Sequence, residues 1–203
     1  MPVGNVAAVV AARRNRGGGR PAPSIKIDRA RLEQMKKEAA QQRMINKLLK
    51  KYDTNKSNKL EREQIIQLLT DLDDTTPAGT EPTEEEVDFI LKVADQGGDD
   101  ALNRKELDYA LRSWHVYVGK RQEMMDKLKE FDKDGTGKLS QVELKAYLVS
   151  LNGGQEVTDD EVDWVLKEAD IFGDGAISQT ELVMATSAWY GHVKNKGGCC
   201  TVQ

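Results

Sequence analysis

Residues 132–143 read DKDGTGKLSQVE. Oxygen-bearing side chains stand at the first, third, fifth and ninth places (Asp132, Asp134, Thr136, Ser140), with Gly137 at the sixth and Glu143 at the twelfth. A hard divalent cation such as calcium takes about six to eight oxygens, and a twelve-residue loop supplies them from these places, with a backbone carbonyl at the seventh. Lys138 holds that seventh place, so its side chain is free for other work. The sixth residue makes a sharp turn at positive φ, which a Cβ penalises and glycine does not. Glu143 offers two oxygens and begins the segment that leaves the loop. Apolar residues at helical spacing flank it on both sides: Met124, Leu128 and Phe131 before, Leu144, Leu148 and Leu151 after.

This helix–loop–helix pattern resembles the EF-hand superfamily, and calmodulin-like proteins with four EF-hands in particular. The resemblance implies an all-α fold with two lobes of paired EF-hands, and Ca2+ as the bound ion. Three further loops fit the same template with losses. Residues 170–181, DIFGDGAISQTE, keep Asp170, Asp174, Gly175, Ser178 and Glu181, with the carbonyl of Ala176 at the seventh place, but Phe172 stands where an oxygen belongs. Residues 95–106, DQGGDDALNRKE, keep Asp95, Asp99, Asn103 and Glu106, lack a ligand at Gly97 and carry Asp100 at the turn. Residues 53–64, DTNKSNKLEREQ, end in Gln64, a neutral amide that rarely supplies two strong oxygens, and are read as structural. Asn58 suits the turn, because asparagine visits the left-handed region. Mg2+ is a second candidate ion at the loops with fewer ligands. In the family, loops couple in pairs through a short strand around the eighth place; here Leu60 would face Leu102 and Leu139 would face Ile177.

The chain repeats itself. TEEEVDFILKVAD (residues 83–95) and TDDEVDWVLKEAD (residues 158–170) match at an offset of 75 residues, and the register continues through Trp114 and Trp189. Both segments open with threonine three residues before glutamate, a capping-box signature for a helix start. TTPAGTEPT (residues 75–83) reads as a linker between the first two units. From Asp28 to Tyr52, Leu32, Met35, Ala39, Ile45, Leu48 and Leu49 recur as on an amphipathic helix. The expected organisation is a disordered basic tail over 1–27, a first EF-hand pair with degenerate loops over 28–118, a calcium-binding second pair over 119–195, and a short flexible tail over 196–203.

Composition fits this organisation. Of 203 residues 38% are hydrophobic and 32% charged, as in a helix-rich protein with charged faces. The net charge of −4 hides an asymmetry: residues 1–51 carry 13 Lys/Arg against three acids, and the rest carry 17 basic against 31 acidic groups. The arginines of the basic arm have no aromatic interleaving, so no specific nucleic-acid partner is expected. The longest apolar run, residues 6–12, is seven residues, far short of the roughly 20 of a membrane span. The two cysteines, Cys199 and Cys200, are adjacent, which excludes a disulfide framework in the body and points to a reducing, cytoplasmic setting. Cys200-Thr201-Val202-Gln203 fits a C-a-a-X prenylation pattern, with Cys199 as a second acylation point. A single lipid holds membranes weakly, so the basic tail or Cys199 would supply the second signal.

No phosphate loop, nucleophile–base set or zinc motif appears, so no enzyme is expected. His115 and His192 have no metal-like spacing and read as surface or interface groups; Trp114, Trp164 and Trp189 read as core or lobe-packing residues. The expected function is a calcium sensor or adaptor whose second pair of hands changes its affinity for a protein partner, an amphipathic helix, with lipid placing it at the cytoplasmic face of a membrane. The alternative is a structural component of a cytoskeletal or other assembly with little calcium response.

Overall fold

A computed structural model describes residues 29–197, with side chains to Lys194. The expected N-terminal tail and the cysteines at 199 and 200 lie outside the described residues. Within them the chain is helical, as expected, with seven helices: α1 (Arg29–Tyr52), α2 (Arg62–Leu72), α3 (Glu84–Ala94), α4 (Arg104–Phe131), α5 (Gln141–Leu151), α6 (Asp159–Ala169) and α7 (Gln179–Gly197). Four short strands sit inside the loops: β1 (Lys59–Glu61), β2 (Ala101–Asn103), β3 (Lys138–Leu139) and β4 (Ile177–Ser178).

The strands pair β1 with β2 and β3 with β4, both antiparallel, and the register places Leu60 opposite Leu102 and Leu139 opposite Ile177. All four leucine and isoleucine side chains are fully buried. The eighth loop residue therefore does two jobs: its backbone ties two loops together and its side chain roots the ladder in the core. The two threonine capping boxes also form. Thr83 Oγ1 accepts from the Glu86 amide at 3.2 Å while Glu86 accepts from the Thr83 amide at 2.8 Å, and Thr158 and Glu161 repeat the arrangement.

The chain divides into two units, residues 1–39 and 40–203. In the first, the described part is the opening of α1, and every side chain from Arg29 to Ala39 is exposed. Leu32 and Met35 carry the expected apolar spacing yet are 42% and 52% exposed. Apolar periodicity predicts a helix and a face, but not that anything covers the face. In the second unit Ile45, Leu49 and Tyr52 are buried with the rest of the core.

Helix α4 is continuous over 28 residues, about 42 Å at 1.5 Å per residue. The expected boundary at 118/119 falls inside it. Its first half belongs to the first pair of hands and its second half leads into loop 132–143. Helix α7 packs on α6, α4 and α3, so the two pairs of hands share one core. Polar contacts reinforce this: Thr180 Oγ1 donates to Glu85 Oε1 at 3.0 Å, and Gln179 Nε2 to the Tyr117 hydroxyl at 3.4 Å. Trp114 and Trp189 are buried as expected. Trp164 is not; it is 37% exposed and lies against the His192 ring at 4.8 Å between centroids.

Candidate calcium site

Loop 132–143 is organised by its own carboxylates. Asp132, at the C-cap of α4, accepts from the Gly135 amide at 2.8 Å and the Thr136 amide at 3.1 Å through Oδ1, and from the Gly137 amide at 2.8 Å through Oδ2. Those amides converge because Gly135 and Gly137 take φ of 72° and 81°. Asp134 Oδ1 accepts from the Thr136 amide at 3.1 Å, and Thr136 Oγ1 donates to the Lys138 carbonyl at 3.1 Å. Glu143, in the first turn of α5, reaches back across the loop. Its Oε1 accepts from the Lys133 amide at 2.7 Å and its Oε2 from the Ser140 amide at 2.9 Å and hydroxyl at 2.6 Å.

Asp132, Asp134 and Glu143 thus each turn a carboxylate oxygen inward, and the three oxygens lie within 4.8 Å of one another. Calcium–oxygen distances are about 2.3–2.6 Å, so ligands on opposite sides of one ion are at most about 5 Å apart. The donor set fits calcium in spacing, in charge and in being all oxygen.

The donors around Glu143 favour its charged form. The Ser140 hydroxyl, then the Lys133 and Ser140 amides, hold its carboxyl down to about 2 from an ordinary 4.5. A depressed folded value stabilises the fold above the unfolded value, so this contribution is complete above about pH 4.5 and lost as pH falls through about 2. Replacing Ser140 with alanine removes the first of these donors and is expected to raise the Glu143 midpoint towards 4.5. A carboxyl-carbon NMR titration reads it directly, and an unchanged midpoint would exclude Ser140 as the cause.

The other loops close in similar ways with different contents. In loop 170–181, Asp170 accepts from the Gly173, Asp174 and Gly175 amides, and the fully buried Glu181 accepts from the Phe172 amide at 2.9 Å and the Ser178 amide at 3.0 Å. The Ala176 amide donates to Asp174, whose other oxygen pairs with Lys138. Phe172, in a ligand place, is half-buried and packs against the core, lining a cleft with Asp88 and Leu91 of α3. In loop 95–106, Asp95 accepts from the Gly98 and Asp100 amides, Glu106 from the Gly97 and Asn103 amides, and Asn103 caps α4. Asp99 pairs with Lys59. In loop 53–64 Gln64 mimics the closing glutamate, accepting from the Glu61 amide at 3.2 Å and donating to Thr54 at 3.1 Å. Asn58 and Asp100 stand at φ of 63° and 56°, the turn that glycine makes elsewhere. Among the described residues, Asp132, Asp134 and Glu143 are the group of three acidic side chains gathered closely enough for one ion.

Sequence reasoning missed Arg121 and Thr180. Arg121 binds Asp73 at 2.5 Å and Glu86 at 2.9 Å, and Thr180 joins loop 170–181 to α3. All three contacts link positions dozens of residues apart, for which the sequence carries no periodic signal.

A family model for an EF-hand domain pair matches residues 121–187. A calmodulin-like protein 6 of Oryza sativa subsp. japonica is 28% identical over 134 residues, covering 64% of this chain and 74% of that protein. A myosin regulatory light chain of Physarum polycephalum is 28% identical over 138 residues, covering 65% and 83%. A calcium-dependent protein kinase 4 of Plasmodium berghei (strain Anka) is 35% identical over 143 residues, which are 68% of this chain but 26% of the kinase.

Proposed function

Because the chain belongs to the EF-hand superfamily as a calmodulin-like, calcium-binding protein, we propose that it is a non-enzymatic sensor or adaptor that responds through its second pair of hands. The observation that carries this reading is the inward convergence of Asp132, Asp134 and Glu143 to within 4.8 Å. Thr136 and Ser140 with their hydroxyls, and Lys138 with its carbonyl, complete the donor set. A bound ion would supply two positive charges at the centre of that set. Glu143 sits in the first turn of α5, so a pull on its carboxylate acts on the whole helix.

Loops 170–181 and 95–106 are secondary: Asp170, Asp174, Ala176, Ser178 and Glu181 in one, Asp95, Asp99, Asn103 and Glu106 in the other, with magnesium as a competing occupant. The partner is an amphipathic helix of another protein. An apolar groove of about 490 Å³, lined by Phe89, Val93, Tyr109, Val116, Val183 and Met184, supports this, since Tyr109 and Val116 there are half exposed and apolar. No described helix is long and apolar enough to cross a membrane. Prenylation at Cys200, with Cys199 as a second acylation point, would bring the chain to a cytoplasmic membrane face.

A structural role in an assembly is the second reading, favoured by the shared core in which α7 packs on both α3 and α4. Calcium calorimetry in millimolar magnesium, run beside an apolar-dye titration, separates the two. The sensor predicts a site in the range of about 10⁻⁷–10⁻⁵ M and a calcium-dependent rise in dye binding. Absence of heat below millimolar calcium, or heat with no change in dye binding, would leave the structural role.

A further inference from the structure

The two loop pairs share a feature that the ligand pattern does not require. The first loop of each pair carries a lysine at its seventh place, Lys59 or Lys138, and a neutral hydroxyl at its fifth, Ser57 or Thr136. The second loop of each pair has the reverse: aspartate at the fifth place, Asp99 or Asp174, and alanine at the seventh, Ala101 or Ala176. In the ladders Lys59 stands opposite Asn103 and Lys138 opposite Ser178, the ninth place of the second loop in both cases. That register carries each ammonium over the partner loop, where it meets the fifth-place aspartate: Lys59 with Asp99, Lys138 with Asp174. The alanines return nothing in the other direction.

We propose that these lysines are resident cations of the second loops, and that Lys138 weakens calcium binding at loop 170–181 while leaving loop 132–143 open. The inference rests on the calcium reading above and names the residue that sets which loop responds. A calcium ion in loop 170–181 would need the Asp174 carboxylate that the ammonium already holds, and would sit beside a like charge. The electrostatics run the same way in both pairs. Lys59 reaches Asp99 across the ladder, in a loop that also carries Asp95 and Glu106, its other acidic ligand candidates. Lys138 reaches Asp174 in the same way, in a loop that also carries Asp170 and Glu181. Among the described residues no lysine pairs with an acid of loop 132–143: its fifth place is Thr136, whose hydroxyl bonds the Lys138 carbonyl. One residue thus gives its backbone oxygen to one loop and its charge to the next.

The test is calcium calorimetry on the full chain with five proteins: the unmodified chain, Lys138→Met, Glu143→Gln, both substitutions together, and both with Glu181→Gln added. Methionine keeps the stem and the backbone carbonyl while removing the charge. Lys138→Met is expected to add a second calcium site, or to tighten an existing weak one by at least about tenfold. That site should survive in the double variant and vanish when Glu181→Gln is added. Lys138→Met that titrates like the unmodified chain, with matching helical circular dichroism, overturns the proposal. The calcium reading fails separately, if Glu143→Gln leaves the titration of the unmodified chain untouched.

Discussion

Replacing Arg121 with alanine is expected to destabilise the protein by about 3–5 kcal/mol, because it leaves two buried carboxylates without their cation. Arg121 lies in the second half of α4, with its side chain 14% exposed, against 4% for Asp73 and 9% for Glu86. Its Nη1 donates to Asp73 Oδ2 at 2.5 Å and to Thr75 Oγ1 at 3.1 Å, and its Nε approaches Glu86 Oε1 at 2.9 Å. Glu86 also accepts from the Tyr117 hydroxyl at 2.7 Å. The guanidinium lies 5.3 Å from the Trp114 ring and 5.4 Å from that of Tyr117. One side chain therefore clamps the end of α2, the linker after it and the start of α3 onto α4. Burial alone would raise the Asp73 carboxyl, but the Thr75 hydroxyl and Arg121 overcome it and leave about 2. That contribution is full above the ordinary 3.8 and is lost as pH falls through 2. Urea unfolding near neutral pH measures the loss, and lysine at 121 should recover only part of it, since an ammonium cannot serve both acids in a fork. A loss below about 1 kcal/mol would mean that water reaches the cluster and that the pairs behave as surface ones.

Glu143→Gln is expected to weaken calcium binding at loop 132–143 by at least about 100-fold, roughly 2.7 kcal/mol, while leaving the fold in place. The change removes an anion and one strong oxygen from a site whose other acids are Asp132 and Asp134. The fold should survive because the protein already contains the substitution. Gln64 holds the same place in loop 53–64, accepts from the Glu61 amide, and still starts α2 with a capping box. The comparison also explains why loop closure is poor evidence of calcium binding: glutamine and glutamate both close the loop, but only the acid brings charge. Calorimetry of the two proteins under one magnesium concentration decides it. Equal affinities would remove Glu143 from the ligand set.

Much of this protein was legible in local sequence. The loops, their turns and the threonine caps depend on residues within twelve positions of one another, and each has a chemical signature. The eighth-place pairing of Leu60 with Leu102 and Leu139 with Ile177 follows from the same template and appears in the ladder register. The exposed face of α1 and the exposed Trp164 show where such reading stops. Spacing and side-chain type record a preference for burial; whether a partner surface exists to satisfy it depends on packing.

By itself, then, the sequence determined the helical fold, the loop boundaries and the residues able to present oxygens to an ion, because these are short-range consequences of backbone geometry and ligand chemistry. The tertiary structure alone decided that α4 runs unbroken between the pairs of hands, that α7 joins both in one core, and that Arg121 finds Asp73 and Glu86. It also set a lysine beside two of the ligand candidates, because the strand register carries Lys59 to Asp99 and Lys138 to Asp174. Charge neutralisation depends on distance in space, and a sequence records only distance along the chain.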